Sequence, residues 1–275
     1  MISTQHIGRV AYLASCTLIF AFLIAPILVI VPLSFNAEPY FTFTEGMLRL
    51  DAEAYSLRWY RQIIENELWT RGLVNSLIIG IASTALATAL GTLAALGLSS
   101  PAMPGRRFAM ALLISPMVTP VIISAAGMFF FYSTLGLAQT HIGLILSHAA
   151  LGTPFVVITV TATLSAFDTN LTRASASLGA SPLLTFRRVQ LPLIAPGVIS
   201  GALFAFATSF DEVVVVLFMG GIEQRTIPRQ MWAGIREQIS PTILAVATFL
   251  IAFAVLLLLT VEWLRRRSAA SSQAD

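Results

Sequence analysis

Lysine is absent, cysteine occurs once, histidine three times, and only 11% of the 275 residues are charged. Each shortage excludes something. Without lysine there is no Gly-rich loop ending in Gly-Lys-Ser/Thr, so the chain has no phosphate-binding P-loop of its own. The lone Cys16, inside an apolar run, forms no intrachain disulfide and says nothing of redox compartment. No Cys or His cluster has metal-ligand spacing. Soluble globular chains carry about 25% charged residues, so a soluble enzyme and a disordered protein are both excluded. The 16 basic residues, all Arg, fall in short clusters between apolar runs and make no continuous stripe, which argues against nucleic acid despite a net charge of +3.

What is present is apolar sequence: 57% hydrophobic residues and a mean hydropathy of +0.84. A bilayer core requires about 20 helical residues per crossing. Six segments qualify, at 10–33, 72–98, 108–132, 142–167, 191–222 and 242–261. The expected fold is therefore an all-α polytopic membrane protein with six transmembrane helices. The first segment exceeds a signal-peptide core and reads as an uncleaved anchor.

Arg is retained on the cytoplasmic side. Arg106 and Arg107, then Arg173, Arg187 and Arg188, then Arg265, Arg266 and Arg267 all fall on one face, which makes that face and both termini cytoplasmic. The stretch after the first span is external, with an amphipathic helix predicted over 56–67 that carries Leu57, Tyr60, Ile63, Ile64 and Leu68 on its apolar side. A second external connection, 223–240, holds Arg225, Arg229 and Arg236, which run against the rule. Residues 1–70 form an anchor and external loop, 71–264 the transmembrane domain, and 265–275 a short cytoplasmic tail.

In the second span Ser76, Gly80, Thr84, Thr88 and Thr92 recur every four residues, a face that lets another helix approach closely. Prolines follow Ser115, Thr119 and Thr153, and stand at 192 and 196. Each removes a backbone hydrogen bond and permits a kink, a pattern suited to a transporter.

The loop at about 168–190 is predicted to be a helix, a break and a second helix. Asp168 is a good N-cap, Gly179 fits a C-terminal break, and Ser181 with Pro182 restarts a helix with proline in its first turn. Mere connection does not need so much structure.

At these residues the chain resembles the membrane subunit of bacterial type I ABC importers, whose cytoplasmic EAA loop reads Glu-Ala-Ala, three residues, Gly, nine residues, then Ile-x-Leu-Pro. Here Ala174 keeps the first alanine, Ser175 stands for the second, and Gly179 is followed after nine residues by Val189, Gln190, Leu191 and Pro192. Arg173 replaces the family's Glu and calls for a compensating acid on the partner. The resemblance implies the type I importer transmembrane domain, with Arg173, Ala174, Ser175, Gly179, Leu191 and Pro192 coupling it to a dimer of ATP-binding subunits. It also implies a second, homologous permease chain, an extracytoplasmic solute-binding protein and surrounding membrane lipid as partners, and no nucleic acid. ATP and Mg belong to the partner ATPase, with no cofactor on this chain and no enzymatic activity of its own. The run Phe206 to Val213, together with Ile227, Pro228, Met231 and Trp232, looks like the second permease of spermidine/putrescine-type importers. That group implies a polyamine, or a related cationic or amino-acid-derived solute.

Asp211 and Glu212 interrupt the fifth apolar run. An ionisable side chain at the centre of a membrane helix costs about 2.5–3.5 kcal/mol on insertion scales and is by default a functional candidate. Beside Phe206 and Phe210 the two acids form a candidate substrate path for a cation. The plainer alternatives are a helix cap or an ion pair with Arg225 or Arg229. His141 and His148 share one helical face and read as polar packing. A self-sufficient ion-coupled secondary transporter or channel is the alternative function. Six spans, no inverted repeat and a structured loop without a role in a lone carrier stand against it.

Overall fold

The computed structural model describes residues 4–100, 102–237 and 240–271, which are helical almost throughout. The helices are α1 (Thr4–Leu33), α2 (Glu45–Leu48), α3 (Arg58–Glu65), α4 (Glu67–Leu98), α5 (Arg106–Val118), α6 (Val121–Thr134), α7 (His141–Ser165), α8 (Asn170–Ser177), α9 (Pro182–Thr185), α10 (Leu191–Phe210), α11 (Val214–Met219), α12 (Ile227–Glu237) and α13 (Thr242–Ser271). Among the described residues five helical stretches are long and apolar enough to cross a bilayer, and the pair α5 and α6 makes a sixth if counted as one span. The expected membrane fold is thus present, with the third span kinked at one of its predicted proline sites and one correction, to the end of the fifth span.

The third span is not straight: α5 and α6 meet at 104°. Thr119 is held extended (φ −72°, ψ 132°) ahead of Pro120, as the pre-proline clash demands. Pro116, by contrast, stays inside α5. The carbonyl it cannot serve, that of Leu112, accepts the Ser115 hydroxyl instead at 2.7 Å, so the turn survives.

The fifth span ends early. It was expected to run to Ile222, but the continuous stretch is Pro182–Asp211, and α11 follows as a separate short helix. The chain turns at Asp211 and Glu212.

Two compact units result from packing. One comprises Met1–Glu67 with Ala233–Asp275, in which α13 packs against α1 and α3. The amphipathic helix is present as α3, but its buried residue is Trp59, while Leu57 and Ile64 are exposed. The indole explains the choice: its Nε1 donates to the Asn36 carbonyl at 2.7 Å, and Asn36, itself buried, donates to the Tyr40 and Thr42 carbonyls. The predicted tail is helical through Ser271; residues 272–275 and the side chains of Arg265, Arg266 and Arg267 lie outside the described residues.

The other unit is Leu68–Trp232. One apolar cluster gathers Ile79, Leu144, Leu151, Val215, Val216 and Met219. A second is built from smaller residues, among them Ala87, Ala95, Ala149, Val156 and Ala205, so that α4, α7 and α10 lie close together.

Candidate functional site

The loop of residues 168–190 forms a closed two-helix knob. Asp168 Oδ1 accepts from Asn170 N–H at 2.9 Å to start α8. At its other end Gly179 takes φ +80°, Ala180 N–H reaches the Ser175 carbonyl at 3.1 Å, and Gly179 N–H reaches that of Ala176 at 2.9 Å. This is a Schellman ending, which requires a left-handed residue at that position. Ser181 then caps α9 by accepting from Leu184 N–H, with Pro182 in the first turn. Ser175 Oγ and Thr185 Oγ1, 2.9 Å apart, tie α8 to α9.

The tip of the knob is apolar and open. Leu178 is 88% exposed and Leu183 66%; Arg173, Ala174 and Gly179 are exposed beside them. Sequence reasoning missed these leucines and Thr185, although isolated leucines among Ala, Ser and Thr were the signal available. Leu191 and Pro192 sit where the knob joins α10. Pro192 has no N–H for the Arg188 carbonyl, and the turn before it widens: Leu191 N–H reaches back five residues to Phe186. The helix therefore continues into the span without a gap.

At the opposite end of α10, Asp211 N–H bonds the Ala207 carbonyl and closes the helix. Its side chain is exposed. Glu212 has a local task, since its Oε1 accepts from Val215 N–H at 2.9 Å and caps α11. Phe206 and Phe210 stack with centroids 5.4 Å apart. The arginines weighed as partners for the acids are engaged elsewhere. Arg229 donates to the Gly220 and Gly221 carbonyls at 2.9 and 2.8 Å, and Arg225 contacts Gln230. Burial, and after it the neighbouring Arg225 cation, lowers the pKa of Arg229 from its ordinary value.

Between α4 and α10 runs a groove of about 810 Å³ lined by Thr84, Thr88, Thr92, Ile199, Leu203 and Phe206 among others. The four-residue repeat of α4 divides here. Ser76 accepts from Ile227 N–H at 2.9 Å and Gly80 lies against the Phe206 ring, whereas the buried hydroxyls of Thr84, Thr88 and Thr92 find no partner among the described residues. Near the start of α4, Asn75 donates to the Glu223 and Arg225 carbonyls at 2.7 and 2.9 Å and pairs with His141 Nε2 at 3.0 Å; Arg71 pairs with Glu223. His148 is buried against Ser209. Among the described residues no group of three or more His, Cys, Asp or Glu could hold a metal ion.

Residues 87–269 match the family described as "Binding-protein-dependent transport system inner membrane component". The chain is 28% identical over 269 residues to the spermidine/putrescine transport system permease protein PotC of Escherichia coli (strain K12), covering 98% of this chain and 99% of that protein. It is 29% identical over 239 residues to the putrescine transport system permease protein PotI of the same organism, covering 84% and 82%. Its backbone resembles that of a bacterial ABC transporter involved in the import of the acidic polysaccharide alginate, with a TM-score of 0.74 at 15% identity over 95% of this chain and 98% of that one.

Proposed function

The chain belongs to the family of binding-protein-dependent transport system inner membrane components, and from its similarity to PotC and PotI we propose that this ABC importer permease subunit carries putrescine, spermidine or a related cationic solute. The observation that carries the coupling role is the capped two-helix knob with apolar Leu178 and Leu183 at its open tip. Apolar side chains held out from a membrane protein's polar loop mark an interaction surface. The knob is read as cytoplasmic, and its partner as an ATP-binding subunit dimer that supplies ATP, Mg and all hydrolysis. Arg173 then faces an acid of that subunit.

Transport follows from continuity. Closure of the ATPase dimer draws two knobs together, this one and that of a second, homologous permease, and α10 passes the displacement to its outer end. An extracytoplasmic binding protein delivers solute there. Asp211, exposed and next in sequence to Phe210, whose ring stacks on that of Phe206, supplies a negative charge after two aromatic faces, and a cation over such a face gains about 0.5–2 kcal/mol. The polyamines named for PotC and PotI agree with a carboxylate and two rings at that point.

The test is uptake of labelled putrescine and spermidine in cells with and without the gene. Loss of uptake in the deletion, restored by the wild-type chain, supports the reading. Unchanged polyamine uptake removes it and moves the substrate to another solute.

A further inference from the structure

The groove between α4 and α10 has a use that the transported cation does not supply. Its lining runs along α10 from Leu191 to Phe206, a rise of about 22 Å. The wall is carbon almost throughout. Apart from Thr84, Thr88 and Thr92 every lining residue is apolar, and the hydroxyl oxygens of those three are buried, so the face they turn to the groove is their methyl groups.

The shape and chemistry of the groove select its occupant. A polyamine finds no acceptor on such a wall, and an unpaired charge within the membrane is costly. A helix is too wide. Spread over that length, 810 Å³ corresponds to a rod roughly 7 Å across, whereas a helix with its side chains measures about 10–12 Å. A hydrocarbon chain fits, and the groove is longer than the roughly 15 Å that one leaflet occupies.

Within a bilayer an apolar tail gains no hydrophobic drive by leaving other tails for protein, so preference for one lipid has to come from its head. The inner end of the groove provides for that. Phe186 and Leu191 line it, and between them in sequence stand Arg187 and Arg188, both exposed and neither with an ion pair among the described residues. From Thr169 to Phe210 the chain has three arginines and no Asp or Glu. Guanidinium groups match phosphate oxygens in bidentate pairs.

We propose that the groove holds an acyl chain of an anionic phospholipid whose phosphate is bound by Arg187 and Arg188. The site rests on the permease reading only for setting these arginines at the cytoplasmic boundary, and it is independent of which solute is carried. The headgroup neutralises two cations beside Leu191, where the knob joins the span.

Photolabelling of the full importer in phosphatidylcholine nanodiscs tests this. The probes are phosphatidylglycerol and phosphatidylcholine, each in trace amount and carrying the same diazirine within one chain. The phosphatidylglycerol probe should label peptides covering residues 84–93 and 198–203 well above the phosphatidylcholine probe. Arg187→Gln with Arg188→Gln should lower that labelling about fivefold for each charge removed, and Arg187→Lys with Arg188→Lys, which keeps both charges, should retain most of it. Ala85→Trp, which fills the groove, should remove the label with both arginines in place. Equal labelling by the two probes, or full labelling of the glutamine pair, overturns the site. So does an unlabelled groove in the wild-type complex, which would mean that the second permease covers it. Should the glutamine pair fail to assemble, competition in the wild-type complex decides: loss of label to unlabelled phosphatidylglycerol alone supports the site, and equal loss to added phosphatidylcholine overturns it. Putrescine uptake bears on the solute and leaves this result unchanged.

Discussion

Gly179 offers a perturbation whose magnitude can be worked out before the experiment. Its φ of +80° belongs to the left-handed region, and a Cβ built there meets nothing within 4 Å. Alanine therefore introduces no clash, and its whole cost is conformational, about 1–2 kcal/mol. That is a factor of roughly 5–30 in an equilibrium. The equilibrium affected is the closing of the knob, since the Schellman bonds from Gly179 and Ala180 and the cap at Ser181 set α9 against α8. Asparagine tolerates the left-handed region better than alanine, and a β-branched residue tolerates it least. The expected affinity of the ATP-binding subunits for the permease pair in nanodiscs thus falls in the order Gly, Asn, Ala, Val, with Gly179→Ala weakened by the factor above. Titration of the purified ATPase subunit gives the ratios. Equal affinity for the glycine and alanine forms, or asparagine below alanine, would refute the reasoning, because either result means that the backbone at this position does not govern docking.

Other outcomes follow from the same coordinates. Asp211→Asn should lower putrescine uptake while leaving assembly and basal ATP hydrolysis intact, since the exposed carboxylate supports no packing; full uptake by that variant ends its role in the path. Glu212→Ala removes the cap on α11 and should cost about 0.5–2 kcal/mol, read as a lower Tm of the purified chain, whereas Glu212→Gln keeps an acceptor oxygen and should stay near wild type. Gly201→Ala forces a Cβ to within 2.5 Å of Thr159 Oγ1 and 2.7 Å of Val156 Cα. It should reduce the yield of folded chain, and an unchanged Tm would contradict the close approach of α7 and α10.

Much of the knob was legible because its signals are local. Asp168, Gly179, Ser181 and Pro182 each act within a few residues, so spacing alone places the caps and the break. The limits of the spans were less legible for a related reason. A proline's effect depends on whether its lost bond is replaced, as Ser115 replaces it for Leu112, whereas the Thr119 hydroxyl bonds the Ser115 carbonyl and not that of Pro116, the one Pro120 cannot serve. Hydropathy carried the fifth span past Asp211 because Val213 to Ile222 are as apolar as a helix interior, yet α11 is a separate segment with its own cap. Contacts distant in sequence were the least legible. Nothing around residue 148 announces Ser209, sixty-one positions away, and the choice of Trp59 over Leu57 or Ile64 as the buried face of α3 depends on a carbonyl at Asn36.

The unbroken run Pro182–Asp211 also has a mechanical consequence. Taken as a straight rod of 30 residues, it is about 45 Å long at 1.5 Å per residue. If it pivots at the end held by Ser209, a tilt of about 10° carries the far end through roughly 8 Å. The rod gears a small rotation to a large sweep, so an angular change too slight to disturb the side-chain packing near the pivot suffices for a stroke longer than a helical turn at Ser181.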